Sequence, residues 1–185
     1  MKVVCLGDSL TYGYGVYPDE NWCYIIKKHF NIDLVNKGVN GDTSAGMLFR
    51  SFSDIINISP SHAIIMGGTN DLLMGYSIDT IIDNMSSLLM EIKDKGIIPY
   101  LGIQPPTNEY LAKKFWDGTI DYSQVNNNIS IYRNEMIKFT NKFNINYFDF
   151  YNEFINNIRN LNYLFMDGIH PSKKGHELMA KIIKF

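Results

Sequence analysis

Cysteine is scarce: Cys5 and Cys23 are the only two in 185 residues. Two are too few for a disulfide framework or a thiolate zinc site. Cys5 falls inside an apolar run, where a small buried thiol is the expected reading. An excess of positive charge is lacking too. Lys and Arg total 17 against 19 Asp and Glu, a formal net charge of −2. That balance gives no reason to expect nucleic acid or an anionic membrane as partner. No run of 18 uncharged apolar residues occurs, so no integral membrane segment is expected. Met1 and Lys2 lead straight into an apolar segment, without the charged, apolar and small-residue regions of a signal peptide. A cytoplasmic location is the expectation. Repeats, linkers and low-complexity blocks are missing as well.

What is present is an alternation. Residues 1–185 suffice for one domain with a large core. Five short apolar runs read as strands: Val3–Leu6, Ile32–Val35, His62–Met66, Ile97–Ile103 and Asn146–Phe150. Pro99 sits near the start of the fourth, where a missing donor is tolerated. Between them lie segments with helical spacing, at Asn21–Phe30, Thr43–Ile56, Ser77–Gly96 and Ser123–Phe143. The clearest carries Ile78, Ile81, Ile82, Met85, Leu88, Leu89 and Ile92 on one face. A short helix and loop is expected over Tyr151–Leu164, and a closing helix over Ser172–Phe185. Gln104–Tyr122 shows no regular pattern; a loop of that length is usually functional or mobile. Strands apolar on both faces, alternating with helices, predict a three-layer α/β/α fold. Its five-stranded parallel sheet takes the flavodoxin-like order 2-1-3-4-5. The ligand crevice of such a sheet lies beyond the C-terminal ends of strands 1 and 3.

Three turns fall at that edge, each bearing glycine. Gly7-Asp8-Ser9-Leu10 follows strand 1, Asn40-Gly41-Asp42-Thr43-Ser44 follows strand 2 and Gly68-Thr69-Asn70-Asp71 follows strand 3. A serine hydroxyl needs a base to become a nucleophile, usually imidazole. Of the four histidines, His29 neighbours Lys27 and Lys28 and reads as solvated. His62 opens a strand, and His176 lies within the last helix. His170 differs: it sits in the turn Asp167-Gly168-Ile169-His170-Pro171. Asp167 can reach its Nδ1 proton and fix the tautomer, and Pro171 restricts its backbone. Backbone N–H groups of Ser9 and Gly41 and the side-chain amide of Asn70 are candidate donors to an oxyanion. Taken singly, Asn70 also reads as a turn or cap residue, and Asp8 and Asp71 as side chains that tie loops down.

The four blocks together resemble the GDSL, or SGNH, hydrolases. Gly7-Asp8-Ser9-Leu10 is similar to the first block of that family, Gly41 to the second, Gly68-Thr69-Asn70-Asp71 to the third and Asp167-Gly168-Ile169-His170 to the fourth. The order and strand context agree across nearly the whole chain. The resemblance implies Ser9 as nucleophile, His170 as base and Asp167 as its partner. It implies an oxyanion hole of Ser9, Gly41 and Asn70, no metal and no organic cofactor. Residues 7–15 and 41–44 further resemble the bacterial arylesterase, thioesterase and lysophospholipase branch.

Hydrolysis of a small-molecule carboxylic ester or thioester is therefore the leading expectation. A carbohydrate O-acetylesterase is a variant of it. A non-catalytic module is the rival from another class, either flavodoxin-like or carbohydrate-binding. Gly13-Tyr14-Gly15 is the fragment of a Gly-rich loop that such a module would use, without the remaining spacing. Tyr14, Tyr17, Met74, Tyr76, Phe115 and Trp116 are candidates to line an acyl or sugar groove.

Overall fold

The structure, a computed structural model, describes residues 1–157 and 161–185. Its centre is β1 (Lys2–Gly7), in which Val3, Val4, Cys5 and Leu6 are all fully buried. Burial on both faces is what a continuous apolar run demands of a central strand. The chain then turns through α1 (Ser9–Tyr12) and α2 (Trp22–Phe30) to β2 (Asp33–Gly38). Helix α3 (Ser44–Asp54) leads to β3 (His62–Met66), and α4 (Thr69–Leu73) and α5 (Ile78–Asp94) lead to β4 (Ile98–Ile103). Helices α6 (Glu109–Phe115) and α7 (Tyr122–Phe143) precede β5 (Asn146–Asp149). Helices α8 (Phe150–Asn156), α9 (Leu161–Leu164) and α10 (Lys173–Ile182) complete the chain.

All strand pairs are parallel, in the order β2-β1-β3-β4-β5. Alternate side chains of β1 serve two cores. Val4 and Leu6 join Met47, Ile81, Met85, Leu88 and Met136 on the α3, α5 and α7 side. Val3 and Cys5 join Trp22, Ile26, Phe150, Phe154 and Met179 on the α2, α8 and α10 side. The result is the three-layer α/β/α arrangement expected from the alternation. Helices α2 and α3 lie on opposite faces, so the crevice between the C-terminal ends of β1 and β3 stays uncovered.

Side-chain caps set the helix starts. Asn21 accepts from Cys23 N–H at 2.7 Å, Thr43 from Gly46 N–H at 3.2 Å and Ser172 from Gly175 N–H at 3.3 Å. Pro99 stands second in β4, before pairing with β5 begins at Tyr100. Its missing N–H thus falls where β4 has one neighbour strand.

Several local features differ from expectation. Thr69, Asn70 and Asp71, expected in a turn, open the short helix α4. Strand β2 runs on to Gly38, because its register with β1 continues to the pair Gly7–Gly38. Ser9 opens a single helical turn instead of standing at a bare turn tip. The segment 104–122 contains α6, capped by Asn108, which accepts from Leu111 N–H at 3.1 Å. In the stretch expected as short helix and loop, α8 and α9 are helical, and 158–160 lie outside the described residues.

Candidate functional site

Register brings three strand ends level: Gly7 of β1 pairs with Gly38 of β2 and with Met66 of β3. The three expected turns therefore start side by side. Asp8 caps the turn after β1, accepting the Leu10 N–H at 2.9 Å. The Ser9 carbonyl accepts N–H groups of Gly13 and Tyr14 at 2.9 and 3.1 Å. Gly13 makes the exit with a φ of +88°. Further anchors reach in from outside the turn. Trp22 Nε1 donates to the Leu10 carbonyl at 3.0 Å, and Asn21 and Asn36 both donate to the Thr11 carbonyl, at 3.0 and 2.7 Å.

The turns after β2 and β3 are bonded to each other. Asn70 Nδ2 donates to the Asp42 carbonyl at 2.8 Å, one residue beyond Gly41. Asp71 accepts from the Ser44 N–H at 2.9 Å and the Ser44 hydroxyl at 2.6 Å. An amide nitrogen has two hydrogens. One of Asn70's is spent on Asp42, which fixes the carboxamide plane and leaves the other available. Gly41 has a φ of +77°, and a Cβ there would meet no protein atom within 4 Å. Backbone conformation, not crowding by the protein, is what calls for glycine.

Arg50 ties the same edge together from α3. Its Nη2 donates to the Gly7 carbonyl at 2.9 Å, Nη1 to the Lys37 carbonyl at 2.8 Å and Nε to Asp42 Oδ2 at 2.7 Å. Nη1 also pairs with Asp54 Oδ2 at 2.7 Å, one turn along α3. Nothing in the sequence signals the contacts with Gly7, Lys37 and Asp42, because these lie in two strands and a loop.

The fourth block arrives from the opposite end of the chain. One Asp167 oxygen accepts the N–H groups of Ile169 and His170 at 2.9 and 2.8 Å; the other lies 2.7 Å from His170 Nδ1. His170 Nε2 lies 3.0 Å from Ser9 Oγ. Burial alone would raise the Asp167 carboxyl. Hydrogen bonds from the His170 ring and from the His170 and Ile169 N–H groups outweigh it, holding the carboxyl below its usual value. A carboxylate only accepts, so Nδ1 carries the ring proton and Nε2 is the free acceptor toward the serine hydroxyl.

This turn has a buttress. Asn108 N–H donates to the Gly168 carbonyl at 2.7 Å. Gly168 adopts a φ of +95°, and a Cβ there would lie 2.2 Å from Ala112 N. The stretch 104–122, which shows no pattern in the sequence, thus packs α6 directly against the turn that carries His170. Trp116, at the end of α6, meets the His170 ring edge-on with centroids 5.0 Å apart. Tyr14 approaches the same ring to 4.4 Å.

Of the candidate site residues, Ser9, His170 and Asp167 are in direct contact, and Asn70 is bonded to the Gly41 loop. The other histidines stay outside. His29 is exposed, edge-on to Phe30; His62 stacks on Tyr100, 6.0 Å away. His176 accepts the Trp22 N–H at 3.4 Å, and burial pushes its pKa down to about 4. Asp8 is fully buried beside Ser9. Burial is the main cause that pushes it up to about 7; the Leu10 N–H opposes, and the charges of Asp42 and Asp71 add to the rise. No group of three or more His, Cys, Asp or Glu among the described residues is placed to hold a metal ion.

A serine, a histidine and an aspartate are thus linked at the C-terminal edge of a doubly wound parallel sheet, beside a bonded pair of Gly- and Asn-bearing loops. The chain belongs to the GDSL-like lipase/acylhydrolase family, whose model matches residues 5–178. Among curated proteins it is similar to an arylesterase of Vibrio mimicus, 26% identical over 124 residues, 63% of this chain and 62% of that protein. It is similar to esterase TesA of Pseudomonas aeruginosa at 29% over 112 residues, 57% and 56% of the two chains. The chain thus spans less than two thirds of these relatives. A solved lipolytic protein of the G-D-S-L family from Veillonella parvula shares the fold, with TM-score 0.81, 22% identity and coverage of 98% and 94%. An acetylxylan esterase from Geobacillus stearothermophilus shares it with TM-score 0.80 at 20% identity, covering 98% and 91%.

Proposed function

We propose that the protein hydrolyses carboxylic esters or thioesters of small molecules through an acyl-enzyme on Ser9. The observation that carries this reading is the unbroken chain Ser9 Oγ, His170 Nε2, His170 Nδ1, Asp167 Oδ2, with links of 3.0 and 2.7 Å. The curated relatives named arylesterase and esterase support the same reaction class.

His170 Nε2 takes the Ser9 proton as Oγ bonds to the acyl carbon. The carbonyl π electrons move onto oxygen, where the Ser9 and Gly41 N–H groups and the free Asn70 hydrogen stabilise the charge. Asp167 stays ionised and holds the imidazolium. Collapse of the tetrahedral species breaks the bond to the alcohol or thiol, which leaves with the proton from Nε2. Water then attacks the acyl-enzyme, His170 again accepting the proton, and Ser9 Oγ is released with it. Every electron pair and proton is supplied by substrate, water and these side chains.

The test is hydrolysis of p-nitrophenyl esters by wild type and Ser9→Ala, with stoichiometric labelling by a serine-directed phosphonate. Ser9→Ala is expected to lower kcat by roughly 10⁴–10⁶ and to block labelling. Near-normal turnover by Ser9→Ala would overturn the proposal. An unlabelled wild type with no esterase activity would favour the non-catalytic module.

A further inference from the structure

His170 is nearly buried, but the two rings that cover it are not. Its own exposure is 4%, against 41% for Tyr14 and 49% for Trp116. Tyr14 comes from the loop after α1, held by its N–H to the Ser9 carbonyl at 3.1 Å. Trp116 comes from a separate part of the chain, at the end of α6, its N–H bonded to the Ala112 carbonyl at 2.9 Å. The two ring centroids lie 4.4 and 5.0 Å from that of the imidazole, and both rings remain exposed to solvent.

The direction of proton transfer decides what this surface meets. In the reaction proposed above, Nε2 must pass its proton to the departing oxygen. That oxygen has to come within about 2.6–3.2 Å of Nε2. The carbonyl oxygen points instead toward the Gly41 and Asn70 donors. The alcohol half of the ester must therefore lie on the His170 side, over Tyr14 and Trp116.

We infer that Tyr14 and Trp116 form the subsite for the leaving alcohol and select alcohols built on a ring. A flat ring, aryl or pyranose, lays a whole apolar face on aromatic side chains. A short acyclic alcohol covers only a fraction of them. Aromatic ring contacts are worth about two- to tenfold in binding. The subsite discriminates on the alcohol and leaves the acyl half to the other side of Ser9. This inference rests on the ester-hydrolase reading.

The experiment holds the acyl group constant. Phenyl acetate, an O-acetylated methyl pyranoside and ethyl acetate share one acetyl-enzyme, so kcat/KM reports acylation alone. In Trp116→Ala and in Tyr14→Ala, at least one of the ratios phenyl-to-ethyl and pyranoside-to-ethyl is expected to fall about two- to tenfold. Trp116→Phe is expected to restore most of it. The ratio that falls further identifies aryl or sugar as the preferred ring. Trp116→Leu carries the same test should Trp116→Ala not fold. Equal losses on all three esters would overturn the inference, since the rings would then serve only to orient His170. Failure of the underlying reading looks different: wild type inert on all three acetates, or Ser9→Ala as active as wild type.

Discussion

Replacing Asp8 by Asn is expected to favour the folded protein, relative to wild type, by several kcal/mol more at pH 8 than at pH 4.5. Asp8 is fully buried, and only one of its oxygens is bonded, to the Leu10 N–H; Oδ2 has no hydrogen-bond partner. Its pKa stands at about 7 in place of 3.8. Between those values the folded protein keeps a proton that the unfolded chain has lost. Unfolding free energy therefore falls as pH rises from about 4 to about 7 and levels off above. At about 1.4 kcal/mol per pH unit, the window from 3.8 to about 7 is worth on the order of 4 kcal/mol. Asn keeps the cap, because its side-chain oxygen serves Leu10 as well as a carboxylate does, and it carries no charge at any pH. His176 has the opposite sign. Its folded pKa of about 4 lies below the unfolded 6.5, so its contribution is lost as pH falls through that range. Both proteins carry His176, so it cancels in their difference. Urea unfolding at half-unit steps from pH 4.5 to 8, extrapolated linearly, measures that difference directly. It should grow by several kcal/mol toward pH 8. A constant difference across the range would refute the reasoning, showing that Asp8 has the same pKa folded and unfolded.

Asn70→Ala is expected to lower kcat by about 10²–10³ on p-nitrophenyl esters while KM moves little; an effect confined to KM would place Asn70 in substrate binding instead. Gly168→Ala should cost on the order of 3 kcal/mol and activity with it, measured by thermal melting and turnover. Its Cβ would run into the backbone of α6, and the turn carries His170. Gly41→Ala meets no protein atom, so its stability cost should be smaller, about 1–2 kcal/mol for the positive φ.

Much of the candidate site was legible because its chemistry is local. Asp167-Gly168-Ile169-His170 binds itself: the carboxylate, both N–H donors and the imidazole it orients lie within four residues. Asp8 and the Leu10 N–H form another such unit. Contacts between remote parts of the chain left no trace. Arg50 joins carbonyls of β1 and β2 to Asp42, and the Asn108 contact with Gly168 bridges residues 60 positions apart. Trp116 stood out as an aromatic in an irregular stretch, but no pattern there announced that α6 would carry it onto His170.

By itself the sequence determined the layers, the strand order and the four blocks. Continuous apolar runs, helical stripes and caps are properties of short stretches of chain, and their alternation permits few topologies. Only the tertiary structure decided what lies against what. The 3.0 Å approach of His170 to Ser9 crosses 161 positions. Burial turns Asp8 from a turn residue into a carboxyl with a pKa of about 7, and packing of α6 turns an unpatterned segment into a support for the turn that carries His170. Distance, solvent exclusion and ring contact depend on segments remote in sequence, so no local pattern encodes them.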